Sequence, residues 1–399
     1  MNIDTNIKKI GCFFLLLFFF APPLFSVSTS FVTIDKFFDY IRLASFFGIL
    51  IYALTKGEFV RFAALPILII TLFWTPQIIM TLKNDGNFTT SVNNYICMMA
   101  VCLIVCVGVK SNFESFLRIA TLYFSALCLL NFATQILFPG GIVSEASMFE
   151  ETYGKWILGG QNNMIAFIIP TMVLNGIRFM QDRKVINIIV ILLLAVSAII
   201  SGSATGLLGM LLFLAMFFVG AFIKSEKTSA VFNINVYVVV GLIVLFMFVV
   251  IGRFSVFETI IVDFLKKDMT LTTRTEVWER TFAYIAQSPW LGCGVLRSEA
   301  VQQLLKASHQ HNYFLHILFQ GGIFALLFFV LLFNMCRRRL SINKANKECF
   351  VIAAGIFSFL IMFISEVYDG LLILPFCFMI LLSLNYSARS KEKKDKEGE

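Results

Sequence analysis

The stretch that decides the fold runs from His309 to Met335: His-Gln-His-Asn-Tyr-Phe-Leu-His-Ile-Leu-Phe-Gln-Gly-Gly-Ile-Phe-Ala-Leu-Leu-Phe-Phe-Val-Leu-Leu-Phe-Asn-Met. After a polar start it stays apolar for about 20 residues, the length that a helix needs to cross a bilayer. All three histidines of the chain, His309, His311 and His316, lie at this border. Because the unperturbed pKa of histidine is close to neutral pH, the border is the first place to look for acid–base chemistry.

Similar apolar runs recur along the whole chain, and 59% of its residues are hydrophobic. Such a composition requires lipid as the solvent. We predict an all-α, polytopic membrane protein with about 12 transmembrane helices. The predicted spans are 10–28, 37–54, 62–81, 92–109, 116–138, 160–179, 185–201, 204–223, 234–251, 313–335, 349–367 and 370–386.

The spans divide the chain into four parts. Residues 1–251 hold transmembrane helices 1–9, and 252–312 form one large, partly helical external loop. Residues 313–386 hold helices 10–12, and 387–399 form a charged tail. The first span is also compatible with a signal peptide, but its length and the spans that follow favour a retained helix.

The cations predict the orientation. Most of the 32 Lys and Arg residues fall in segments that are cytoplasmic if the N-terminus is inside, which predicts that both chain ends are cytoplasmic. The net charge of +8 is mostly this topology signal, so it does not indicate binding to nucleic acid.

The external loop is too long to lack structure of its own. Thr273-Arg-Thr-Glu276 matches a capping box and predicts a helix from Arg274 to about Gln287, ended by Ser288-Pro289. An arginine in the first turn of a helix suits an anion, phosphate most of all. The alternative is that Arg274 stacks on Trp278 or pairs with a surface Glu.

Other loop residues extend this prediction. Arg253 and Arg280 add positive charge, and Gly292 and Gly294 indicate tight backbone geometry or the approach of something bulky. No carboxylate or thiolate cluster lies near the histidines in sequence, so we expect no metal site. We expect His316, which lies inside the tenth span, to be a packed or hydrogen-bonded core residue.

Polar residues within the spans have two interpretations. Asp39 and Arg42 lie three residues apart on one helical face, and a structural ion pair is the default for charges in a membrane. A substrate role is the alternative. Asn131, Gln135 and the run Gln161-Asn-Asn163 are suited to lining a polar cavity.

Four stretches stand in a characteristic order. They are Gly159-Gly-Gln-Asn-Asn163; Ser201-Gly-Ser-Ala-Thr-Gly-Leu-Leu208; Arg274-Thr-Glu-Val-Trp278 with Ser288-Pro-Trp-Leu-Gly-Cys-Gly294; and His311-Asn-Tyr-Phe-Leu315 with Gly321-Gly322. Together, across about 155–335, they resemble the O-antigen ligase and polymerase superfamily of bacterial envelope polysaccharide enzymes. One departure is Ala204, which stands where the family pattern has an arginine.

The resemblance implies a glycosyltransferase of the bacterial inner membrane without metal or cofactor. Its donor would be an oligosaccharide on undecaprenyl pyrophosphate, and a chain-length regulator would be a further partner besides membrane lipid. Arg274 would bind the pyrophosphate, and His311 would act as base toward the acceptor hydroxyl or orient it. The predicted substrate-binding residues are Arg280, His309, Asn312, Arg253, Lys155, Gly292 and Gly294.

Three functions remain open at this point. The preferred one is a repeat-unit polymerase for O-antigen or capsule. A ligase that moves finished glycan to lipid A core or another acceptor would use the same residues. A flippase for lipid-linked oligosaccharide would favour internal repeats and charges deep in several spans. Because the sequence shows no such repeats and concentrates its polar chemistry outside the spans, an enzyme is favoured.

Overall fold

The computed structural model describes residues 3–27, 31–146, 152–222, 234–246, 270–343 and 346–397. Over these ranges the chain is almost entirely helical, which confirms the all-α prediction apart from one short sheet. The helices are Ile3–Phe19, Leu24–Val27, Val32–Thr55, Glu58–Lys83, Phe88–Leu137, Ile165–Asp182, Val185–Ser201, Ala204–Phe222, Ile234–Phe246, Thr270–Gln287, Ser298–Leu305, Tyr313–Ile342, Lys347–Met362 and Leu374–Glu397, with a 3₁₀ helix at Gly370–Ile373.

Within the described ranges, each predicted apolar run overlaps at least one of these helices. Within the described ranges, 5 helices are long and apolar enough to cross a membrane by length and composition. They are Val32–Thr55, Arg61–Lys83, Phe88–Leu137, Ala204–Ala221 and Tyr313–Ile342. The chain is therefore a membrane protein, while the number of about 12 spans stays a prediction.

The predicted spans 92–109 and 116–138 correspond to two helices that meet at a kink at Asn112 (φ −166°, ψ 97°) within the stretch Phe88–Leu137. The segment after this stretch contains two strands that the predicted layout did not include, Val143–Ala146 and Thr152–Lys155, paired antiparallel with Val143 opposite Lys155. Strands of four residues carry too little periodic signal to be predicted from sequence.

The intramembrane charges form the predicted ion pair. Nη1 of the buried Arg42 lies 2.8 Å from Oδ1 of Asp39, and its Nε donates to the carbonyl of Phe18 (3.0 Å). Asn93 donates to the same carboxylate oxygen (3.2 Å). Because the carboxylate and guanidinium satisfy each other and join three segments, this pair stabilises the helix packing.

Asn131 and Gln135 are buried and engaged with protein, which argues against the predicted cavity. The Oδ1 of Asn131 accepts from the backbone N–H of Leu158 (2.9 Å). The amide of Gln135 accepts from the Ser197 hydroxyl (2.5 Å) and donates to the Ser197 carbonyl (3.2 Å). Both side chains therefore tie helices and the external segment together.

The long apolar helix Tyr313–Ile342 is broken at Gly322 (φ 63°, ψ −163°), and the external segment 289–294 fills the break. Four hydrogen bonds replace those that the helix loses, which non-helical backbone near a membrane requires. They are Ile323 N to Pro289 O (2.8 Å), Phe324 N to Trp290 O (3.2 Å), Cys293 N to Phe319 O (2.6 Å) and Gly294 N to Gln320 O (2.9 Å).

Close contacts with neighbouring backbone explain why the segment 289–294 contains glycines. Gly292 and Gly294 have positive φ (73° and 79°). A Cβ would lie 2.6 Å from the carbonyl carbon of Gln320 at the first position and 2.6 Å from that of Met80 at the second. The bulky group that approaches both glycines is the protein backbone itself, while the predicted substrate-binding role of Gly292 and Gly294 stays a prediction.

Candidate active site

Arg274 is placed by a helix of the external loop. The chain is already helical at Thr270, so Thr273 is not the cap and the predicted capping box is wrong. Arg274 lies in the second turn rather than at the helix N-terminus. One turn later, the buried Trp278 donates its indole N–H to the carbonyl of Gln310 (2.8 Å). Since residues i and i+4 share a helix face, this bond brings Arg274 to the histidine segment.

The histidine segment has strained backbone at its centre. His311 has a φ of 49°, in the left-handed region that few non-glycine residues adopt. Its ring lies 4.2 Å, centroid to centroid, from that of His309, and its backbone N–H donates to Nδ1 of His309 (3.2 Å). Strain of this kind costs about 1–3 kcal/mol and concentrates at functional sites.

Asn312 anchors this segment. Its Oδ1 accepts from the backbone N–H of Leu315 (3.0 Å) and so caps the long helix, while its Nδ2 donates to the carbonyl of Ile364 (3.0 Å). The side chain is fully buried. These two bonds hold the segment in place, while the predicted substrate contact of Asn312 stays a prediction.

The hydrogen bond from Asn312 to Ile364 places the segment that follows Ile364 beside the histidines. This segment carries a residue that the sequence did not single out. Glu366, which is only 4% exposed, lies just beyond the helix Lys347–Met362. Its Oε1 is 3.7 Å from Nε2 of His309 and accepts from the backbone N–H of Val367 (3.1 Å). A lone carboxylate in the predicted span 349–367 was the available signal, since charges in apolar runs are usually functional.

Two further family-like motifs meet at this carboxylate. Asn162, from the run predicted to line a polar cavity, donates to Oε2 of Glu366 and accepts from the hydroxyl of Ser203. The Thr205 hydroxyl, two residues on, lies 3.1 Å from that of Ser365. Asn162 and Ser203 thus connect to the carboxylate that faces His309, whereas Thr205 contacts the neighbouring Ser365.

The charges of the site influence one another. Burial raises the pKa of Glu366 to about 6, although the hydrogen bond from Val367 and the charge of Arg274 act in the opposite direction. Burial also lowers the pKa of Arg274, and Glu366 partly offsets this. Near neutral pH the site therefore holds a cation and a carboxylate that is mostly ionised.

The two imidazoles are neutral under the same conditions. Burial lowers the pKa of His309 to about 4 and that of His311 to about 3, and Arg274 adds to both shifts. Nδ1 of His311 is buried and has no hydrogen-bond partner among the described residues. A neutral ring with an unsatisfied nitrogen is able to accept a proton or a hydrogen bond from a bound ligand.

His309, His311 and Glu366 offer ligand atoms within 4.8 Å of one another, close enough to hold a metal ion. The tautomer of His309 opposes that use. Its Nδ1 accepts the backbone N–H of His311, so the neutral ring carries its proton on Nε2, the nitrogen that faces Glu366. In a metal-bound imidazole, one nitrogen binds the metal and the other donates a hydrogen bond. In His309 that other nitrogen, Nδ1, accepts a hydrogen bond. The geometry therefore fits a hydrogen-bonded acid–base cluster better than a metal centre.

The remaining predicted residues lie in different surroundings. Arg280 donates to the carbonyl of Leu305 (3.0 Å) and pairs with Glu276 (3.3 Å), which joins the two loop helices. Lys155 ends the second strand, where its carbonyl accepts from Ile142 (2.9 Å). Arg253 lies outside the described residues.

His316 is a core residue, as predicted. It is buried, and its Nδ1 lies 2.7 Å from the side-chain oxygen of Gln310. The carbonyl of the same Gln310 receives the indole of Trp278. His316 therefore helps to fix the segment that carries the other two histidines.

Comparison with known proteins gives a consistent result. The family model described as O-Antigen ligase matches residues 189–330, a range that includes the 201–208 motif, Arg274 and all three histidines. Asn162 and Glu366 lie outside the matched range. Among curated proteins, none matches the chain. The family match supports the resemblance seen in the sequence: residues 189–330 are similar to the O-antigen ligase family, in keeping with the O-antigen ligase and polymerase superfamily.

Proposed function

We propose that this protein is a polysaccharide repeat-unit polymerase that transfers glycan from undecaprenyl pyrophosphate to another lipid-linked repeat. The family match supports a glycan-transfer role. The observation that carries the proposal is the grouping of Arg274, two neutral histidines and Glu366 just before the apolar helix Tyr313–Ile342. At the start of such a helix, the glycans of two lipid-linked repeats would meet just outside the lipid.

Arg274 is proposed to bind the pyrophosphate of the donor. An acceptor hydroxyl attacks the anomeric carbon, the new C–O bond forms, and the bond from that carbon to the phosphate oxygen breaks. The electron pair leaves with the pyrophosphate, whose growing negative charge is stabilised by the guanidinium. A donor with two phosphates suits a cation that is largely shielded from water.

His311 is proposed to receive the proton of the acceptor hydroxyl. In the free protein its pKa is lowered by burial, then by His309 and Arg274. A pyrophosphate at Arg274 offsets the positive charge and so raises the basicity of His311 when the donor is bound. Glu366, through Nε2–H of His309, stabilises the histidine pair as it gains positive charge.

The proposal is tested with purified protein and lipid-linked repeat units, without ATP and with a chelator of divalent metals. A ladder of product lengths supports the polymerase. Unchanged substrate both with repeat units alone and with added lipid A core, under conditions where the protein stays folded, contradicts glycan transfer and favours the flippase. Loss of the reaction in chelator alone contradicts the proposed independence from metal.

A ligase is the second candidate, because the matching family model is described as O-Antigen ligase. It would use the same donor and the same four residues. Transfer to added lipid A core, with no ladder when only repeat units are supplied, would identify a ligase. Location in the bacterial inner membrane with both ends cytoplasmic, and a chain-length regulator as partner, remain part of the proposal.

A further inference from the structure

A line of hydrogen bonds reaches Glu366 from the start of the helix Ala204–Phe222. The backbone N–H of Gly206 donates to the hydroxyl of Ser203 (3.0 Å). That hydroxyl donates to Oδ1 of Asn162, and Nδ2 of Asn162 donates to Oε2 of Glu366. Ser203 and Glu366 are both buried. Three segments that are far apart in sequence therefore meet in one chain of donors.

The direction of this chain is its informative property. Each group accepts from the previous one and donates to the next, so every hydrogen points toward the carboxylate. Aligned donors polarise one another, and an ionised carboxylate is the species that accepts without donating. The Val367 N–H holds the other oxygen, Oε1, which faces His309.

We propose that Asn162 and Ser203 are positioning residues that keep Glu366 ionised and keep its Oε1 directed at His309. This inference rests on the proposed glycan transfer but assigns residues that neither the family match nor the sequence placed in a mechanism. Asn162 contacts the carboxylate directly, whereas Ser203 acts through Asn162. Removal of Asn162 should therefore have the larger effect.

Other charged or titratable groups also act on Glu366. Arg274, on the loop helix, favours the ionised form, and Asp369, on the segment of Glu366 itself, opposes it. His309 faces the carboxylate from the segment before the long helix, and Tyr368 is its buried neighbour. Because Arg274 remains in place, loss of Asn162 should shift the titration of Glu366 without preventing it.

The test is the rate of glycan transfer as a function of pH in four variants. Asn162→Ala should move the acidic limb of the pH–rate profile upward by about one pH unit. Its rate at pH 6 should then be about fivefold below that of the native protein, and its rate at high pH should be similar. Ser203→Ala should shift the limb in the same direction by less. Ser203→Thr, which keeps the hydroxyl, should restore the native limb.

Thr205→Val is the matched control, because it removes one hydroxyl contact to the same segment, at Ser365, outside the donor chain. It should leave the limb in place. The proposal is overturned if Asn162→Ala lowers the rate equally at every pH. It is also overturned if Thr205→Val shifts the acidic limb as much as Asn162→Ala does. Infrared titration of Glu366, identified by its loss in Glu366→Gln, gives the same midpoint without turnover. It distinguishes failure of this inference from failure of the proposed function.

Discussion

Two segments on either side of the helix Ser298–Leu305 carry the most distinctive sequence patterns, and they differ in how their polar atoms are used. The segment 289–294 exchanges four backbone hydrogen bonds with the broken helix, and its glycines lie against protein backbone. The segment 309–312 has a strained His311 and a buried nitrogen without a partner among the described residues. The polar backbone atoms of the first segment are bonded to neighbouring protein, whereas the second segment has a side-chain nitrogen available to a ligand.

The difference shows how to separate motifs of architecture from motifs of chemistry. Positive φ occurs in both segments, so it does not discriminate. The two kinds of motif differ in whether their polar atoms already have hydrogen-bond partners and whether the pKa values of their titratable side chains are shifted. By this criterion we propose that the chemistry lies at His309, His311, Arg274 and Glu366, and that the Gly-x-Gly pattern belongs to the scaffold.

The largest expected effect is on Arg274. Arg274→Ala should lower the rate of glycan transfer about 10²- to 10³-fold, as expected when one charge-stabilising group is removed from a transition state. Arg280→Ala is the control, because Arg280 binds the Leu305 carbonyl and a partly exposed Glu276. It should cost less than about threefold. Equal losses in the two variants would contradict a specific role for Arg274.

A smaller effect is expected from pH. Glu366, with a pKa of about 6, loses its charge as the pH falls through that value, so the rate should drop about tenfold per pH unit below it. His309 and His311 stay neutral well below pH 6 and should add no limb there. The measurement is the pH dependence of initial rates, and a flat profile from pH 8 to 5 would remove Glu366 from the reaction.

Substitutions in the segment 289–294 should change the stability of the fold rather than the rate of glycan transfer. Gly294→Ala places a Cβ against the backbone at Met80 at a positive φ, which should destabilise the fold by about 1–3 kcal/mol. Thermal unfolding in detergent should show this loss, while the rate per folded molecule stays within about twofold. Gly241→Ala is the control, since a Cβ there meets nothing within 4 Å. Loss of rate without loss of stability in Gly294→Ala would support the predicted substrate role.

The smallest effect is expected at Asn312. Asn312→Ala removes a helix cap and should cost about 1 kcal/mol in thermal stability. Asn312→Ser keeps a capping acceptor and should retain part of that stability. A serine variant as unstable as the alanine variant would indicate that the bond to the Ile364 carbonyl matters more than the cap.

The sequence predicted the helical membrane fold and the grouping of Arg274 with the histidines, because they lie in and at the border of one loop. It did not predict Glu366, which is 55 residues beyond His311 at the end of an apolar run. No local pattern shows that these two segments meet. It also did not predict that backbone packs against Gly294, since a glycine that admits a ligand and one that admits backbone look the same in sequence.

The most direct test of the proposed site is the single-turnover rate of His311→Asn with a lipid-linked donor. Asparagine tolerates a positive φ, so this change removes the imidazole with little added backbone strain. We predict a loss of about 10²-fold or more in the rate of transfer, with the affinity for the donor retained through Arg274. A rate within about threefold of the native protein would show that His311 is not the group that accepts the proton.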